Sequence, residues 1–272
     1  MHPVHGKTVI LTGASQGLGA VMARALAAEG ANLVLAARSI PKLAELAGNL
    51  PGEGIKIVKK TDVTSTEDRA ALLAFVRSQF DHIDILINNA GVEELGVYAE
   101  QDPAVFGRII ATNLLAPMQL AREVLPAMLA RGDGHIVNIA SLAGRTGMPF
   151  GAAYSGSKGG LAEWSISLAA ELADSGVAVS VICPGFVDGT GMFSRQEVPA
   201  PRTIGASHPE DVARALLKVV ETRRIEVVVN PKPVRLLMAL KALSPEAALA
   251  VGRRLGLVHF LKGIATRRPT NG

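Results

Sequence analysis

A tyrosine and a lysine four residues apart, Tyr154 and Lys158, are the residues of this sequence with the clearest chemical use. In a helix, side chains at this spacing share one face, so a phenol and an ammonium would be neighbours. We expect Lys158 to favour the phenolate and to lower the pKa of Tyr154 toward neutral pH, as a general acid or base requires. The spacing alone is equally typical of a solvated helix face, so the interpretation needs support from the rest of the sequence.

Two polar residues could complete such a site. Ser141 follows the apolar segment 135–140 and precedes Tyr154 by 13 positions. Loops at the carboxyl ends of parallel strands form the ligand crevice, where a hydroxyl could hold a substrate oxygen, although serine is also a common turn residue. Asn113 interrupts an apolar helical stretch. Its amide is either satisfied within the protein or holds a water for proton transfer.

Residues 8–36 have the pattern of a strand, a glycine-rich turn, a helix and a second strand. Glycines between the first strand and the helix let the backbone turn tightly and approach a pyrophosphate at the helix N-terminus. The pattern therefore predicts a dinucleotide site that includes Gly13, Ser15, Gln16, Gly17, Leu18 and Gly19.

The second strand of this unit ends at Arg38 and Ser39, and no acidic residue occupies positions 36–39. An Asp or Glu there would bind the 2′-hydroxyl of NAD, whereas an arginine accommodates the additional phosphate of NADP. The Ser39 hydroxyl can add a hydrogen-bond donor. We therefore predict that NADP(H) is preferred and that NAD(H) is the weaker alternative. A solvated arginine at a strand end is the competing interpretation.

Together these motifs make the sequence resemble the short-chain dehydrogenase/reductase family, over about residues 6–230. The other matching pieces are Asp62-Val63, Asn88-Asn89-Ala90-Gly91 and Pro184-Gly185. The resemblance implies that Tyr154 is the acid/base, that Lys158 tunes it and binds the nicotinamide ribose, that Ser141 orients the reacting oxygen and that Asn113 supports a water relay. It also implies cofactor contacts from Asp62, Val63, Asn89, Ala90, Val187 and Thr190.

The sequence departs from the family pattern at two places. Gly189 occupies a position where the family often has threonine, and Thr190 follows one residue later. The run that begins at Asp188 predicts a mobile lid extending to about residue 207. The family's frequent Val-Asp-Gly-Gly ending is replaced by residues 227–233, VVVNPKP. We expect a homo-oligomer, either a dimer or a tetramer, without assuming the family's tetramer packing.

The whole chain predicts an α/β fold with one doubly wound, Rossmann-type parallel sheet and helices on both faces. Apolar segments alternate with helical patterns, which is typical of a parallel sheet. We expect a catalytic domain over residues 1–230 and a helical extension of the same domain over 231–272. The single cysteine, Cys183, excludes an intrachain disulfide and is interpreted as a small core residue. The predicted strands are 7–11, 32–36, 55–59, 83–87, 134–139, 177–182 and 225–229.

Positive charge is concentrated near the C-terminus. Residues 1–211 contain 16 Lys and Arg against 21 Asp and Glu, whereas residues 212–272 contain 12 against 3. Segments 234–243 and 247–255 mix apolar with basic residues, as helices at membrane surfaces do. Subunit packing or a cover over the substrate pocket remains the alternative. Few aromatic residues and no recognition motif argue against nucleic acid, and the scattered histidines do not suggest a metal site.

These observations favour an NADP(H)-dependent oxidoreductase that interconverts a ketone or aldehyde with an alcohol, and we expect the carbonyl compound to be hydrophobic. The alternative is a non-catalytic nucleotide-sensing or membrane-associated protein on the same fold. The N-terminus has no long apolar segment typical of a signal peptide, and no uncharged apolar stretch approaches 18 residues. We therefore expect a cytoplasmic enzyme, with peripheral membrane contact through the C-terminal helices as an open question.

Overall fold

Seven parallel strands form one sheet in the order β3-β2-β1-β4-β5-β6-β7 within residues 2–190, 200–201 and 204–266, which the computed structural model describes. Every predicted strand is present with ends that differ by at most two residues, and the predicted doubly wound parallel sheet is confirmed. The strands are β1 (Thr8–Thr12), β2 (Asn32–Ala37), β3 (Lys56–Lys60), β4 (Ile85–Asn88), β5 (Gly134–Ile139), β6 (Val177–Pro184) and β7 (Glu226–Val229).

Helices cover both faces of the sheet and continue past its last strand. They are α1 (Gly17–Ala28), α2 (Ile40–Gly48), α3 (Thr66–Gln79), α4 (Pro103–Ile110), α5 (Ala116–Arg131), α6 (Leu142–Thr146), α7 (Ala152–Glu171), α8 (Pro209–Thr222), α9 (Arg235–Leu243), α10 (Pro245–Arg254) and α11 (Leu257–Ala265).

The central strand β1 shows why the sheet sequences are almost continuously apolar. Val9 and Leu11 are fully buried in a core cluster with Met22 of α1. Ile10 is fully buried in the cluster on the opposite face, together with Leu120 of α5. Because successive side chains of a strand point to opposite faces, a strand covered on both sides needs apolar residues at consecutive positions.

The strand order reverses at β1, which lies between β2 and β4. In open parallel sheets, a crevice forms beyond the carboxyl ends of the strands at this point of reversal. The segments that follow β1, β4 and β5 begin with Gly13, Asn89 and Ala140, so the predicted functional loops all start at the same edge.

Helices α4 and α5 form a continuous helix, Pro103–Arg131, through a π turn at Ala111–Leu115. The helix has 29 residues, and an 18-residue window within it has a mean hydropathy of 1.2, so it is long and apolar enough to cross a membrane, judged by length and composition only. Leu120, Val124 and Met128 are nevertheless buried in the core cluster between this helix and the sheet. The apolar character therefore corresponds to a core helix.

His135 is a buried ionisable residue on β5, 3% exposed, and its Nε2 lies 2.8 Å from Ser180 Oγ on β6. Burial lowers its pKa from 6.5 to about 4. The unfolded chain therefore binds a proton that the folded protein excludes, and stability is lost as the pH falls from about 6.5 toward about 4.

We expect the free energy of unfolding to fall by about 2 kcal/mol on this account between pH 7.5 and pH 5. Urea unfolding at both pH values measures the loss. The double variant His135→Leu/Ser180→Ala removes both partners of the hydrogen bond and should lack this part of the pH dependence. An unchanged pH dependence in the double variant would contradict the assignment.

The C-terminal region contains three helices, α9, α10 and α11, among the residues that the structure describes. The sequence predicted the first two. The third was missed, although it supplies the buried residues Leu261 and Ile264, which are 1% and 5% exposed. Lys262 and the exposed His259 make the sequence of α11 resemble the preceding surface segments, so its apolar face was not recognised.

The two ends of the predicted lid lie together. Val187 forms a parallel bridge with Ser207, and Asp188 N donates a hydrogen bond to Ser207 O at 3.1 Å. Residues 191–199 and 202–203 of the predicted lid lie outside the described residues. Its mobility therefore stays a prediction.

Candidate functional site

The turn after β1 is built for close approach of two backbone segments. Gly13 has a φ of +63°, and a Cβ atom there would lie 2.7 Å from Ala90 Cα. Gly19 leaves equally little room, because its Cβ would overlap the carbonyl oxygen of Gly13. Asn89 Nδ2 donates hydrogen bonds to Thr12 O and Gly13 O at 3.0 and 3.1 Å. The loop after β4 thus holds the glycine-rich turn in position.

Helix α1 begins directly after this turn with its N-terminal backbone amides available. Its N-cap residue, Gln16, makes no capping hydrogen bond through its side chain, and the first turn contains no acidic residue. Unpaired N–H groups and the positive end of the helix dipole favour an anion at such a place. The turn and helix can therefore accommodate a pyrophosphate.

Arg38 and Ser39 lie at the carboxyl end of β2, along the same cavity as the glycine turn. Lys42 of α2 joins them there, with its Nζ 3.4 Å from Gln16 Oε1. Lys42 was not predicted from the sequence, although its position in the first turn of α2 was available as a signal. Two cations and a hydroxyl at this end of the cavity suit a phosphate monoester.

Asp62, after β3, is organised by its own loop. Its Oδ1 accepts hydrogen bonds from Thr64 N at 2.9 Å and from Thr64 Oγ1 at 2.6 Å. These bonds, followed by the charge of Arg38, lower the pKa of the Asp62 carboxyl despite partial burial. Asp62 is thus a carboxylate that can accept a hydrogen bond from an amino group in the cavity.

Tyr154 and Lys158 lie on α7, as their spacing predicted, and both are buried, at 8% and 3% exposure. Lys158 Nζ donates a hydrogen bond to Ile139 O at the end of β5, at 2.7 Å. Burial lowers the pKa of Lys158 to about 8. With a pKa of about 8, Lys158 is mostly protonated at neutral pH but loses its proton more easily than an exposed lysine.

The expected lowering of the Tyr154 pKa is wrong for this structure. Burial raises the pKa of the phenol well above 10, the nearby Glu93 carboxylate raises it further, and the hydrogen bond with the Ser141 hydroxyl only partly offsets them. Desolvation disfavours the phenolate more than the Ser141 hydrogen bond favours it. The phenol is therefore protonated at neutral pH and is prepared to donate a proton.

Ser141 is the N-cap of α6, and its Oγ accepts a hydrogen bond from Ala143 N at 3.1 Å. The same hydroxyl interacts with the Tyr154 phenol. A hydroxyl fixed by a helix end beside a protonated phenol gives two donors that can converge on one oxygen atom. That arrangement suits the oxygen of a carbonyl or an alcohol.

Asn113 lies in the π turn and is fully buried. Its Oδ1 accepts from Val92 N at 2.8 Å, and its Nδ2 donates to Val92 O at 2.8 Å and to Ser157 Oγ at 3.0 Å. Both polar atoms of the Asn113 amide are hydrogen-bonded within the protein, so the structure shows the first of the two alternatives given for this residue. It connects the loop after β4 to α7, and its part in a water relay stays a prediction.

Besides Lys42, two features of the site were not predicted from the sequence. Glu93 lies along the cavity, and burial raises its carboxyl pKa to about 7 while the charge of Lys158 opposes the shift. Its position two residues after the 88–91 motif was the available signal. Gly144 of α6 contacts α7, because a Cβ there would lie 2.5 Å from the backbone of Lys158 and Gly159. Only the three-dimensional structure reveals that contact.

A cavity of about 1370 Å³ brings the predicted site residues together. Asn113 is the exception, since it lies behind the cavity wall. The predicted residues along the cavity are Gly13, Ser15, Gln16, Gly17, Leu18, Gly19, Arg38, Ser39, Asp62, Val63, Asn89, Ala90, Ser141, Tyr154, Lys158, Val187 and Thr190.

Comparison with known proteins agrees with this geometry. The family model described as short chain dehydrogenase matches residues 7–199. The chain is 42% identical over its full length to 97% of the ketoacyl reductase HetN of Nostoc sp.. It is 36% identical, over 81% of this chain and 84% of the relative, to the granaticin polyketide synthase putative ketoacyl reductase 1 of Streptomyces violaceoruber.

A solved structure gives the same result. The crystal structure of a variant actinorhodin polyketide ketoreductase with NADPH superposes with a TM-score of 0.74 at 29% identity, and covers 82% of this chain and 95% of that chain. The chain belongs to the short-chain dehydrogenase/reductase family, and it is an oxidoreductase of carbonyl and alcohol groups that uses a nicotinamide cofactor.

Proposed function

We propose that this protein is an NADP(H)-dependent reductase that interconverts a ketone or aldehyde with the corresponding alcohol. The observation that carries the proposal is the convergence of Ser141, Tyr154 and Lys158 in a cavity that continues to the glycine-rich turn. A proton donor, a cation and a hydroxyl therefore share one cavity with a turn that can accommodate a dinucleotide.

The residues along the cavity fit such a cofactor. Gly13 and Gly19 leave a backbone cradle that a Cβ atom would fill, and α1 presents its free N-terminus there. Lys158 and Asn89 would hold the nicotinamide half, and Asp62 the adenine. When bound, the nicotinamide supplies or accepts the hydride.

In reduction, Ser141 and Tyr154 hold the substrate oxygen, and Tyr154 donates its phenolic proton to that oxygen. The phenol's high pKa keeps the proton available until negative charge develops on the substrate. Lys158, buried next to the site, stabilises the phenolate that remains. Asn113 is a positioning residue, because it fixes the loop after β4 against α7.

The preference for NADP over NAD is proposed from Arg38, Ser39 and Lys42. A charge-assisted hydrogen bond contributes about 1.5 to 3 kcal/mol, so Arg38→Ala should weaken NADPH binding by about ten- to a hundredfold and NADH binding little. Fluorescence titration with both cofactors measures the two dissociation constants. Equal weakening of both, or tighter NADH binding by the unmodified protein, would remove the proposed preference.

The function is tested by the loss of absorbance of NADPH with a panel of ketones and aldehydes. Turnover that requires Tyr154 supports the proposal, and NADPH binding without turnover of any carbonyl compound contradicts it. That second result would favour the alternative of a nucleotide-sensing protein without catalysis.

The proposed cytoplasmic location is supported by the single, fully buried cysteine, which suits a reducing compartment.

We also propose that the protein forms a homo-oligomer and contacts membranes peripherally. A dimer or tetramer is proposed because family members commonly form oligomers. Peripheral membrane contact is supported by the strongly exposed Leu236 and Leu243 of α9, near the exposed Arg235. Sedimentation with anionic vesicles at low and high salt separates this contact from subunit packing.

A further inference from the structure

Helices α9, α10 and α11 contribute one wall of the cavity that contains Tyr154. Leu237 and Val258 lie on this wall and are only partly buried. Neither α9 nor α10 has a fully buried residue. Apolar side chains on these helices thus face the cavity, where a ligand could cover them. The wall includes Val234, Leu237, Leu249, Leu257, Val258 and Leu261.

Two contacts among the described residues attach the wall to the helix after β5 and to the loop after β6. Lys241 Nζ of α9 donates a hydrogen bond to Arg145 O of α6 at 2.9 Å. Phe260 of α11 meets Phe186, after β6, edge to face with ring centroids 6.0 Å apart. These contacts hold the apolar wall next to the elements that carry Ser141 and Tyr154.

The chemistry of the wall selects its ligand. Leucine and valine side chains offer no hydrogen bonds, so a polyhydroxylated substrate would leave polar groups unpaired there. The basic residues Arg235, Arg253 and Arg254 are exposed on the same helices and do not line the cavity. Lys241 does line it, and its ammonium donates a hydrogen bond to the Arg145 carbonyl oxygen. An uncharged aliphatic chain is the group that gains most from this surface.

We propose that the substrate is a carbonyl compound with a long aliphatic chain that lies against α9, α10 and α11, while its carbonyl oxygen meets Ser141 and Tyr154. This inference rests on the proposed function for the carbonyl chemistry. It adds the chain as the group that determines specificity, with the C-terminal helices as the chain-binding wall.

A homologous series tests the proposal: the methyl esters of 3-oxobutanoic, 3-oxooctanoic and 3-oxododecanoic acid, with NADPH and the full chain. We expect kcat/KM to rise with chain length, by up to about fourfold per methylene, until the wall is covered. A kcat/KM that is independent of length, or falls with it, would overturn the inference.

Adjacent leucines provide matched variants. Leu237→Asn, in the wall, should lower kcat/KM for the 3-oxododecanoate ester by about tenfold or more and leave the 3-oxobutanoate ester nearly unchanged. Leu236, 81% exposed, is the control, and Leu236→Asn should change neither value. Equal effects of the two substitutions, or equal losses for both esters, would contradict a chain-binding wall.

Calorimetry separates this inference from the proposed function. If NADPH binds but no ester is reduced, the proposed function fails. Binding of the long ester alone, and its loss in Leu237→Asn, would still support the apolar site. If the esters are reduced but bind with equal affinity to the Tyr154→Phe variant at every length, the inference fails and the function stands.

Discussion

Tyr154→Phe is expected to lower turnover by about 10² to 10⁴-fold or more, because the variant keeps the ring but lacks the proton donor. The phenol is buried at the cavity, beside Ser141 and Lys158, and its raised pKa keeps it protonated. NADPH binding should stay within about a few-fold, since the hydroxyl contributes one of many cofactor contacts. Steady-state kinetics and fluorescence titration measure the two quantities separately.

The second tyrosine of the chain supplies a matched control. Tyr98 is 64% exposed and stacks on Phe106 at a centroid distance of 5.0 Å. Tyr98→Phe removes the same atom from the protein without touching the proposed proton donor, so turnover should remain close to that of the unmodified chain. Near-full activity of Tyr154→Phe, or similar losses in both variants, would remove Tyr154 from its proposed role.

Gly144→Ala is expected to reduce turnover by about 10²-fold, although residue 144 transfers no proton. The new Cβ would lie 2.5 Å from backbone atoms of Lys158 and Gly159. Backbone atoms cannot rotate away as a side chain can, so this overlap is relieved only if α6 and α7 separate. A displacement of about 1 Å at a catalytic group can cost that much activity. The added methyl should also destabilise the fold by about 1–3 kcal/mol.

Gly156→Ala, on the neighbouring helix α7, is the control. Gly156 is exposed and has no atom within 4 Å of a built Cβ, so alanine should be tolerated and should favour the helix. Kinetics and urea unfolding of both variants distinguish the contact from a general effect of replacing glycine. Full activity of Gly144→Ala would show that α6 and α7 can separate without moving Lys158.

The sequence predicted those parts of the structure that depend on local pattern. Most strands of the sheet are short, largely apolar runs, and β1 needs such a run because it is buried on both faces. Gly13 and Gly19 were predicted from the tight turn and the approach to a pyrophosphate, and the structure adds a second reason, namely the approach of one backbone segment to another. Tyr154 and Lys158 were predicted because helical spacing determines which side chains are neighbours.

Properties that depend on burial or on distant segments were not predictable in this way. The direction of the Tyr154 pKa shift depends on how much water the fold removes from the phenol. The only signal for that pKa in the sequence was the neighbouring lysine. The tight contact at Gly144 joins helices that a loop separates. For Leu237 the sequence left membrane contact, subunit packing and a cover over the pocket open, and neither predicted C-terminal helix included Val258, whereas the structure places both residues along the cavity.

The π turn at Ala111–Leu115 changes the angular phase of the helix in which it lies. Val105 and Pro117, twelve residues apart, are both buried. At about 100° per residue, an uninterrupted α-helix would turn their side chains about 120° apart. The wider turn absorbs roughly one residue and brings them within about 20°. One side of this long helix can thus face the protein interior along its whole length, although the spacing of its buried residues does not follow the 3.6-residue repeat of an α-helix.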